Sequence, residues 1–330
     1  MRVLVTGASG FLGGHLSELF TGRGIEVVAM VRRTSDTAFL DKLDVEKRVA
    51  DLTDPQSLRA AVRGVDAVVH LAAYYTFHGK DEFYELVTVQ GTKNIIRACL
   101  NEGVKRFVYC SSTEAIGAVA DIPAHEDHPA NPQYEYGRSK LRAESVVREF
   151  ESQLEATIVR PSGIYGPRNV DDISYYFITS CAKNSIPTRI LIEHGAAYVQ
   201  FVHVKDAAQG FYLALTNANS IGKTYFITED RWHTYREVYE IISRITGRSV
   251  PTVSLSKSAA KILIYPVFMA NSAFGKWSFL WDPKTVDAVT LNRVYSIEKA
   301  KTELGYFPQY SLEDGLNETI RWYRDNGLFS

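Results

Sequence analysis

A chain of 330 residues with 45% hydrophobic content is long enough to bury one large core or two smaller ones, and a formal net charge of -1 argues against a binder of nucleic acid or another polyanion. Its three cysteines, Cys99, Cys110 and Cys181, form neither a disulfide framework nor a zinc spacing, so they read as reduced, buried thiols of a cytoplasmic protein. The first residues run straight into a strand pattern, with no basic n-region of a secretory signal.

In chain order, apolar runs near 2–6, 26–31, 46–50, 66–71, 106–111 and 156–160 predict strands. Helix-period segments lie between them, clearest at 57–63, 82–102 and 137–152, with Gly64, Gly103 and Pro161 as punctuation. This βαβ series predicts an α/β fold, a Rossmann-type doubly wound parallel sheet. Residues 1–161 are expected to form the dinucleotide-binding domain, with strands near 201–204 and 224–227 returning to it. Residues 162–200 and 230–330 are expected to form a smaller, mostly C-terminal α/β substrate domain.

The first strand runs into a turn where Gly7, Gly10 and Gly13 recur every third residue, with Ser9, Phe11 and Leu12 between them, and an amphipathic helix follows. Such a turn adopts strained dihedrals, lets the backbone approach a pyrophosphate, and aims N–H groups and the helix dipole at it. Ligands of such sheets bind outside the carboxyl ends of the strands. Gly7, Ala72, Ser111, Ser112 and Pro161 all fall at those ends, so one crevice should contain them. Further along, Tyr136 and Lys140 are four apart on a predicted helix, so an ammonium sits near a phenol and can draw its pKa from about 10 toward neutrality. Tyr134 competes for the same role, and the partner Lys140 favours Tyr136.

These motifs, with 51–54, 70–73, 109–112, 160–167, 201–208 and 300–306, resemble the extended short-chain dehydrogenase/reductases over almost the whole chain. The pattern is most similar to the dihydroflavonol-reductase-like and 3β-hydroxysteroid-dehydrogenase-like branch. The resemblance implies that Tyr136 is the acid/base, that Lys140 lowers its pKa and holds the nicotinamide ribose, and that Ser112 hydrogen-bonds the substrate oxygen. Alignment to Gly117 favours Ser112 over Ser111. Asp51 and Leu52 are expected to flank the adenine, and Leu71, Ala72, Ala73 and Pro161 to complete the cofactor site. Family members preferring NAD commonly carry Asp at the place of Val31. Here Arg32, Arg33 and Ser35 follow instead as phosphate donors, so NADP(H) is favoured, with NAD(H) as the alternative.

There are departures from the pattern. Thr88 stands where the family usually has an Asn that organises a proton-relay water. Val199, two residues before Phe201, stands where nucleotide-sugar enzymes carry a diphosphate-clamping Arg, and Ser162 where they tend to carry Asn. Glu114 reads as a structural acid and His203 as a satisfied structural histidine. Tyr74, Tyr75, Phe77 and His78 are candidates for the pocket wall. The apolar segment 259–270 is too short to span a membrane and contains Pro266, which should break or kink it; it fits a lid, a membrane contact or a core helix. The resemblance therefore implies an NADP(H)-dependent oxidoreductase interconverting a ketone and a secondary alcohol on a mostly apolar small molecule. The alternative is a nucleotide-sugar epimerase or dehydratase with tightly bound NAD. A cofactor-sensing binding protein without chemistry does not need Ser112, Tyr136 and Lys140. A homodimer pairing through helices 82–102 and 137–152 is also expected.

Overall fold

The computed structural model describes residues 1–76, 79–274 and 279–328. Its first half alternates β1 (Arg2–Thr6), α1 (Phe11–Gly22), β2 (Glu26–Val31), β3 (Val45–Val49), α2 (Pro55–Val62) and β4 (Ala67–His70). A continuous helical run follows: α3 (Asp81–Phe83), a π-helical stretch at Tyr84–Gln90, and α4 (Gly91–Asn101). Then come β5 (Arg106–Cys110), α5 (Glu135–Glu149), β6 (Glu155–Pro161), β7 (Gly163–Tyr165), α6 (Ile173–Ala182), β8 (Ile190–Ile192), β9 (Tyr198–Val199), β10 (Phe201–His203) and α7 (Val204–Thr216). The remainder carries β11 (Lys223–Ile227), β12 (His233–Thr234), α8 (Tyr235–Thr246), β13 (Val253–Leu255), α9 (Lys257–Ala273), α10 (Pro283–Ala288), α11 (Glu298–Leu304) and α12 (Leu312–Asp325).

Seven strands make one parallel sheet in the order β11-β6-β5-β4-β1-β2-β3. Its inner strands are buried on both faces and so read as unbroken apolar runs: Val3, Leu4, Val5, Val68 and Val69 have no exposed surface. Leu16, Phe20 and Phe211 fill one face of the sheet, and Leu58, Ile95, Ile96 and Val147 the other. The edge strand β3 presents the charged side chains Glu46, Lys47 and Arg48, which discourages further pairing there. The strand order reverses between β1 and β4, which opens a crevice at their carboxyl ends.

Of the two strands expected to return to the main sheet, 224–227 does so: β11 pairs with β6 in parallel, Lys223 opposite Thr157. The other does not. β10 pairs with β7 outside the main sheet, Phe201 opposite Gly163, and the Phe201 ring lies where a side chain on Gly163 would project. The chain comes back to the main core once more, through Ile297, Ala300, Leu304 and Tyr306. A second core gathers Phe177, Ile178, Val238, Ile242, Leu316 and Ile320 from α6, α8 and α12.

The segment 259–270 is neither broken at Pro266 nor a core helix. It lies within α9, which runs through Pro266 and buries Ala260 alone. Ile262, Leu263, Tyr265 and Met269 stand exposed, Ile262 at 75%. Water can satisfy the carbonyl that the proline leaves without a donor on such an open helix. No helix among the described residues is long and apolar enough to cross a membrane. Phe77 and His78 lie outside the described residues.

Candidate active site

A cavity of about 430 Å³ opens at the carboxyl ends of the inner strands. Its floor is the glycine turn. Gly7 has φ +68°, and a Cβ there would sit 3.0 Å from the Ala72 nitrogen; a Cβ on Gly13 would fall 2.1 Å from the Gly7 carbonyl oxygen. No side chain fits in this cradle, so the backbone of Gly10, Phe11, Leu12 and Gly13 faces the cavity. Gly10 caps α1 without a side-chain hydrogen bond, and the first turn carries no acidic residue. The first-turn N–H groups are therefore open to an anion such as a pyrophosphate. These residues fit a dinucleotide.

The loop after β4 is fixed by a buried chain of hydrogen bonds. The Thr6 hydroxyl accepts from the Leu71 and Ala72 N–H groups, both at 3.1 Å, so its own proton goes to His70 Nδ1 at 2.7 Å. His70 then carries its proton on Nε2 and donates to Thr92 Oγ1 at 3.1 Å, and Thr92 donates to the Thr88 carbonyl at 2.6 Å. Burial, with the nearby Lys140 charge, lowers the His70 pKa to about 3 and keeps it neutral. The Thr88 hydroxyl accepts the Tyr74 N–H at 3.1 Å, so at this departure from the family pattern the side chain holds a loop of the cavity wall.

Ser112, Tyr136 and Lys140 all line the same cavity. α5 brings Tyr136 against the loop after β5 because residue 137 is glycine; a Cβ there would lie 2.1 Å from the Glu114 carbonyl oxygen. The Ser112 hydroxyl accepts the Glu114 N–H at 3.1 Å and shares a hydrogen bond with Tyr136. Lys140, 1% exposed, donates to the Cys110 carbonyl at 2.7 Å, and its Nζ lies 5.8 Å from the centre of the Tyr136 ring. The two competitors are engaged elsewhere. Ser111 donates to Glu144 at 2.6 Å, and Glu144 is gripped through both oxygens by Arg160. The Tyr134 hydroxyl donates to the Lys284 carbonyl at 3.0 Å.

The expected lowering of the Tyr136 pKa is not what this arrangement gives. Burial, then the neighbouring Cys110, Asp172 and Glu114, push the phenol well above its ordinary value, opposed by the Ser112 hydrogen bond. Burial also lowers Lys140. Tyr136 is therefore held protonated, the form a proton donor needs.

Of the remaining predicted cofactor residues, Ser9, Arg32, Arg33, Ser35, Asp51, Leu52 and Ala72 are not among those that line the cavity. Arg32 and Arg33 are exposed after β2, and the Ser35 hydroxyl accepts the Arg32 N–H at 3.0 Å. The Asp51 carboxylate is held below its usual range by Thr53 hydrogen bonds and by Arg32. Leu52 is buried under Gly91, where a Cβ would meet it at 2.9 Å. Ser9 is exposed at the turn, while Leu71, Ala73 and Pro161 line the cavity.

Gln200 is buried and bridges two segments, donating to the Glu229 carbonyl at 3.0 Å and accepting the Tyr295 N–H at 2.7 Å. Ser162 donates to Thr228 at 2.7 Å. His203 is not hydrogen-bonded as expected: neither ring nitrogen has a hydrogen-bond partner among the described residues, Nε2 lies 3.8 Å from a Glu318 carboxylate oxygen, and the ring stacks on Tyr310 at 3.8 Å between centres. Burial lowers its pKa to about 4. Sequence reasoning also passed over Arg168, Asp172 and Arg293, which all line the cavity. Tyr75 stands edge-on to Tyr136, 5.1 Å between ring centres at 89°, and donates to Asp172 at the start of α6. Burial raises the Asp172 carboxyl to about 6. Their positions 97 to 179 residues from their partners leave no local sequence signal.

Residues 3–228 match the family model described as NAD dependent epimerase/dehydratase family. The chain is 30% identical to a 2-alkyl-3-oxoalkanoate reductase of Stenotrophomonas maltophilia, over 96% of this chain and 97% of that protein. It is 28% identical to a 3-beta-hydroxysteroid dehydrogenase of Mycolicibacterium neoaurum, over 98% and 92% respectively. The solved dTDP-glucose 4,6-dehydratase DesIV of Streptomyces venezuelae, with NAD and TYD bound, superposes with a TM-score of 0.80 at 27% identity, covering 99% of this chain and 98% of that one.

Proposed function

From the membership of this chain in the NAD dependent epimerase/dehydratase family, as an NAD(P)-dependent oxidoreductase of the 3β-hydroxysteroid-dehydrogenase-like branch, we propose that it interconverts a ketone and a secondary alcohol on a mostly apolar small molecule with NADP(H). The observation that carries this reading is the position of Ser112, Tyr136 and Lys140 on the wall of a cavity that also contains the glycine cradle. Ile164, Phe177, Phe201 and Val289 supply an apolar lining for the substrate. The names of the reductase and dehydrogenase relatives point the same way.

A reduced dinucleotide, its pyrophosphate held by residues 7–13 and its nicotinamide ribose by Lys140, would supply a hydride to the carbonyl carbon. The Ser112 oxygen receives the Glu114 N–H, and its proton, shared with Tyr136, would turn to an entering carbonyl oxygen. Tyr136, protonated at rest, gives its proton to that oxygen, and Ser112 stabilises the negative charge that develops there. Lys140, anchored on the Cys110 carbonyl, keeps a positive charge beside the phenol while it is a phenolate and serves as a donor to the ribose. In the oxidising direction the same groups run in reverse.

The preference for NADP(H) rests on Arg32 and Arg33, exposed directly after Val31, which stands in the place where NAD-preferring members of the family commonly carry Asp. A cytoplasmic location agrees with three free, buried cysteines. A homodimer paired through the helical run ending in α4 and through α5, and a lid or membrane contact on α9, complete the proposal. The second reading, a nucleotide-sugar epimerase or dehydratase with retained NAD, is supported by the likeness to DesIV; Val199, which lines the cavity where such enzymes carry the clamping Arg, and Ser162, committed to Thr228, weigh against it. The deciding assay is oxidation of added NADPH with a panel of apolar ketones. Turnover of dTDP- or UDP-sugars without consumption of NADPH would replace the first reading by the second.

A further inference from the structure

Glu114 and Arg293 meet in the cavity wall from positions 179 residues apart. Arg293 donates through Nε to Glu114 Oε1 at 2.9 Å and through Nη1 to the Ala288 carbonyl at 2.7 Å. Both residues line the cavity, and Arg293 is 8% exposed. Their other polar atoms, Arg293 Nη2 and Glu114 Oε2, are buried with no hydrogen-bond partner among the described residues. Buried charged groups rarely leave such bonds unmade, because each missing bond keeps the full cost of removing the group from water. One ion pair in the wall of the cavity that holds Ser112 and Tyr136 thus keeps an unused donor and an unused acceptor.

We infer that Arg293 Nη2 and Glu114 Oε2 form a subsite for a neutral hydroxyl carried by the substrate away from its reacting carbonyl, and that Glu114 excludes anions from that subsite. This rests on the ketone-reductase reading above. A hydroxyl accepts one hydrogen bond and donates another, so it satisfies both orphaned atoms. A carboxylate or phosphate would satisfy Arg293 and be repelled by the uncommitted oxygen of Glu114. The pair also explains how a cavity with an arginine in its wall can serve a mostly apolar substrate: the charge is neutralised inside the protein, and what remains is a dipole that discriminates by hydrogen bonding.

The test uses 2-alkanones of six to ten carbons, their ω-hydroxy derivatives and the oxo-carboxylates of the same lengths, with NADPH. In the native protein the hydroxyl should raise kcat/KM at least about tenfold over the parent ketone at the best chain length, mainly through KM, and the oxo-carboxylate should rank last. Glu114→Gln should raise the oxo-carboxylate at least tenfold above its native value, and Arg293→Met should remove the hydroxyl advantage without helping the carboxylate. NADPH binding followed by fluorescence, retained in both variants, shows that they are folded. A hydroxyl without effect at every length, or a Glu114→Gln variant that still rejects the oxo-carboxylate, overturns the inference. Should no alkanone turn over, the reductase reading fails separately. Calorimetry with 1-hexanol and hexanoate still decides the subsite: native protein must favour hexanol and Glu114→Gln must shift toward hexanoate, and the opposite ranking rejects it.

Discussion

Ser111 gives its hydroxyl proton to Glu144 at 2.6 Å, which leaves Ser112 as the serine beside Tyr136. The two residues are neighbours in the chain but belong to different networks. Ser111→Ala should cost about 1.5–3 kcal/mol of stability, the range for a hydrogen bond to a charged group, and leave turnover close to native. Ser112→Ala should lower kcat about 10²-fold or more with little change in melting temperature. Steady-state kinetics and thermal melts on the two variants separate the roles, and the reverse pattern would move the substrate contact to Ser111.

Tyr136→Phe should lower turnover by about 10²–10⁴-fold while NADPH binds as before. Fluorescence titration beside the kinetics checks both halves. A variant that stays active would place the proton donor elsewhere.

At Gly137 the prediction is steric. A methyl group there would fall 2.1 Å from the Glu114 carbonyl oxygen, so α5 must move away from the loop that carries Ser112. Gly137→Ala should lose about 1–3 kcal/mol of stability and also lower kcat, because the Ser112–Tyr136 contact is stretched. An alanine variant with native kcat would show that this contact is not needed at close range.

Much of the fold could be read from the chain, for reasons that lie in local chemistry. Parallel strands buried on both faces must be apolar throughout, and the turn after β1 must be glycine-rich because no Cβ fits between Gly7, Gly13 and Ala72. Both neighbouring serines line the cavity, and that Ser111 is already engaged was not readable from spacing, since Glu144 and Arg160 hold it from α5 and β6. Arg293 could not be placed in the cavity at all without knowing that the last third of the chain folds back over Glu114. β10 carries the same apolar signature as β11, and its partner was decided by the bare surface of Gly163. The apolar run in α9 fitted a lid, a membrane contact or core alike, because sequence hydrophobicity does not tell which side of a helix is covered.

Cofactor choice follows from Arg32 and Arg33. NADPH should bind the cofactor-free protein at least about tenfold tighter than NADH, roughly 1.4 kcal/mol, and Arg32→Ala with Arg33→Ala should erase the difference. Competing fluorescence titrations measure it. Equal affinities would make the two arginines a solvated loop and bring NAD-linked chemistry forward.

Three buried histidines set the acid limit of stability. Burial lowers His15 and His70 to about 3 and His203 to about 4, each from an ordinary value of 6.5. The unfolded chain takes up these protons first, so stability is complete above pH 6.5 and is lost as the pH falls toward 3–4. Within that window each histidine contributes a slope of up to about 1.4 kcal/mol per pH unit. Urea melts between pH 4 and 7 should show this slope, and His70→Gln should flatten it by one histidine's share while lowering stability throughout. An unchanged slope in that variant would mean that His70 is free to protonate in the folded protein.

The exposed face of α9 predicts an interaction with lipid. The protein should float with phosphatidylcholine vesicles in a density gradient, and Ile262→Ser with Met269→Ser should release it. Native protein that stays at the bottom of the gradient assigns α9 to a lid instead.

β11 lies beside β6 although 66 residues separate Pro161 from Ile227. During synthesis β6 is therefore made well before its outer neighbour. At about 5–20 residues per second its flank waits roughly 3–13 s for a partner. Through that interval the nascent chain presents an unpaired apolar strand, open to any other strand it meets. A chain stopped after residue 161 would keep that open flank permanently. Expressed alone, the first half should aggregate where the whole chain does not, and the yield of active protein should be most sensitive to changes that slow translation between residues 162 and 227.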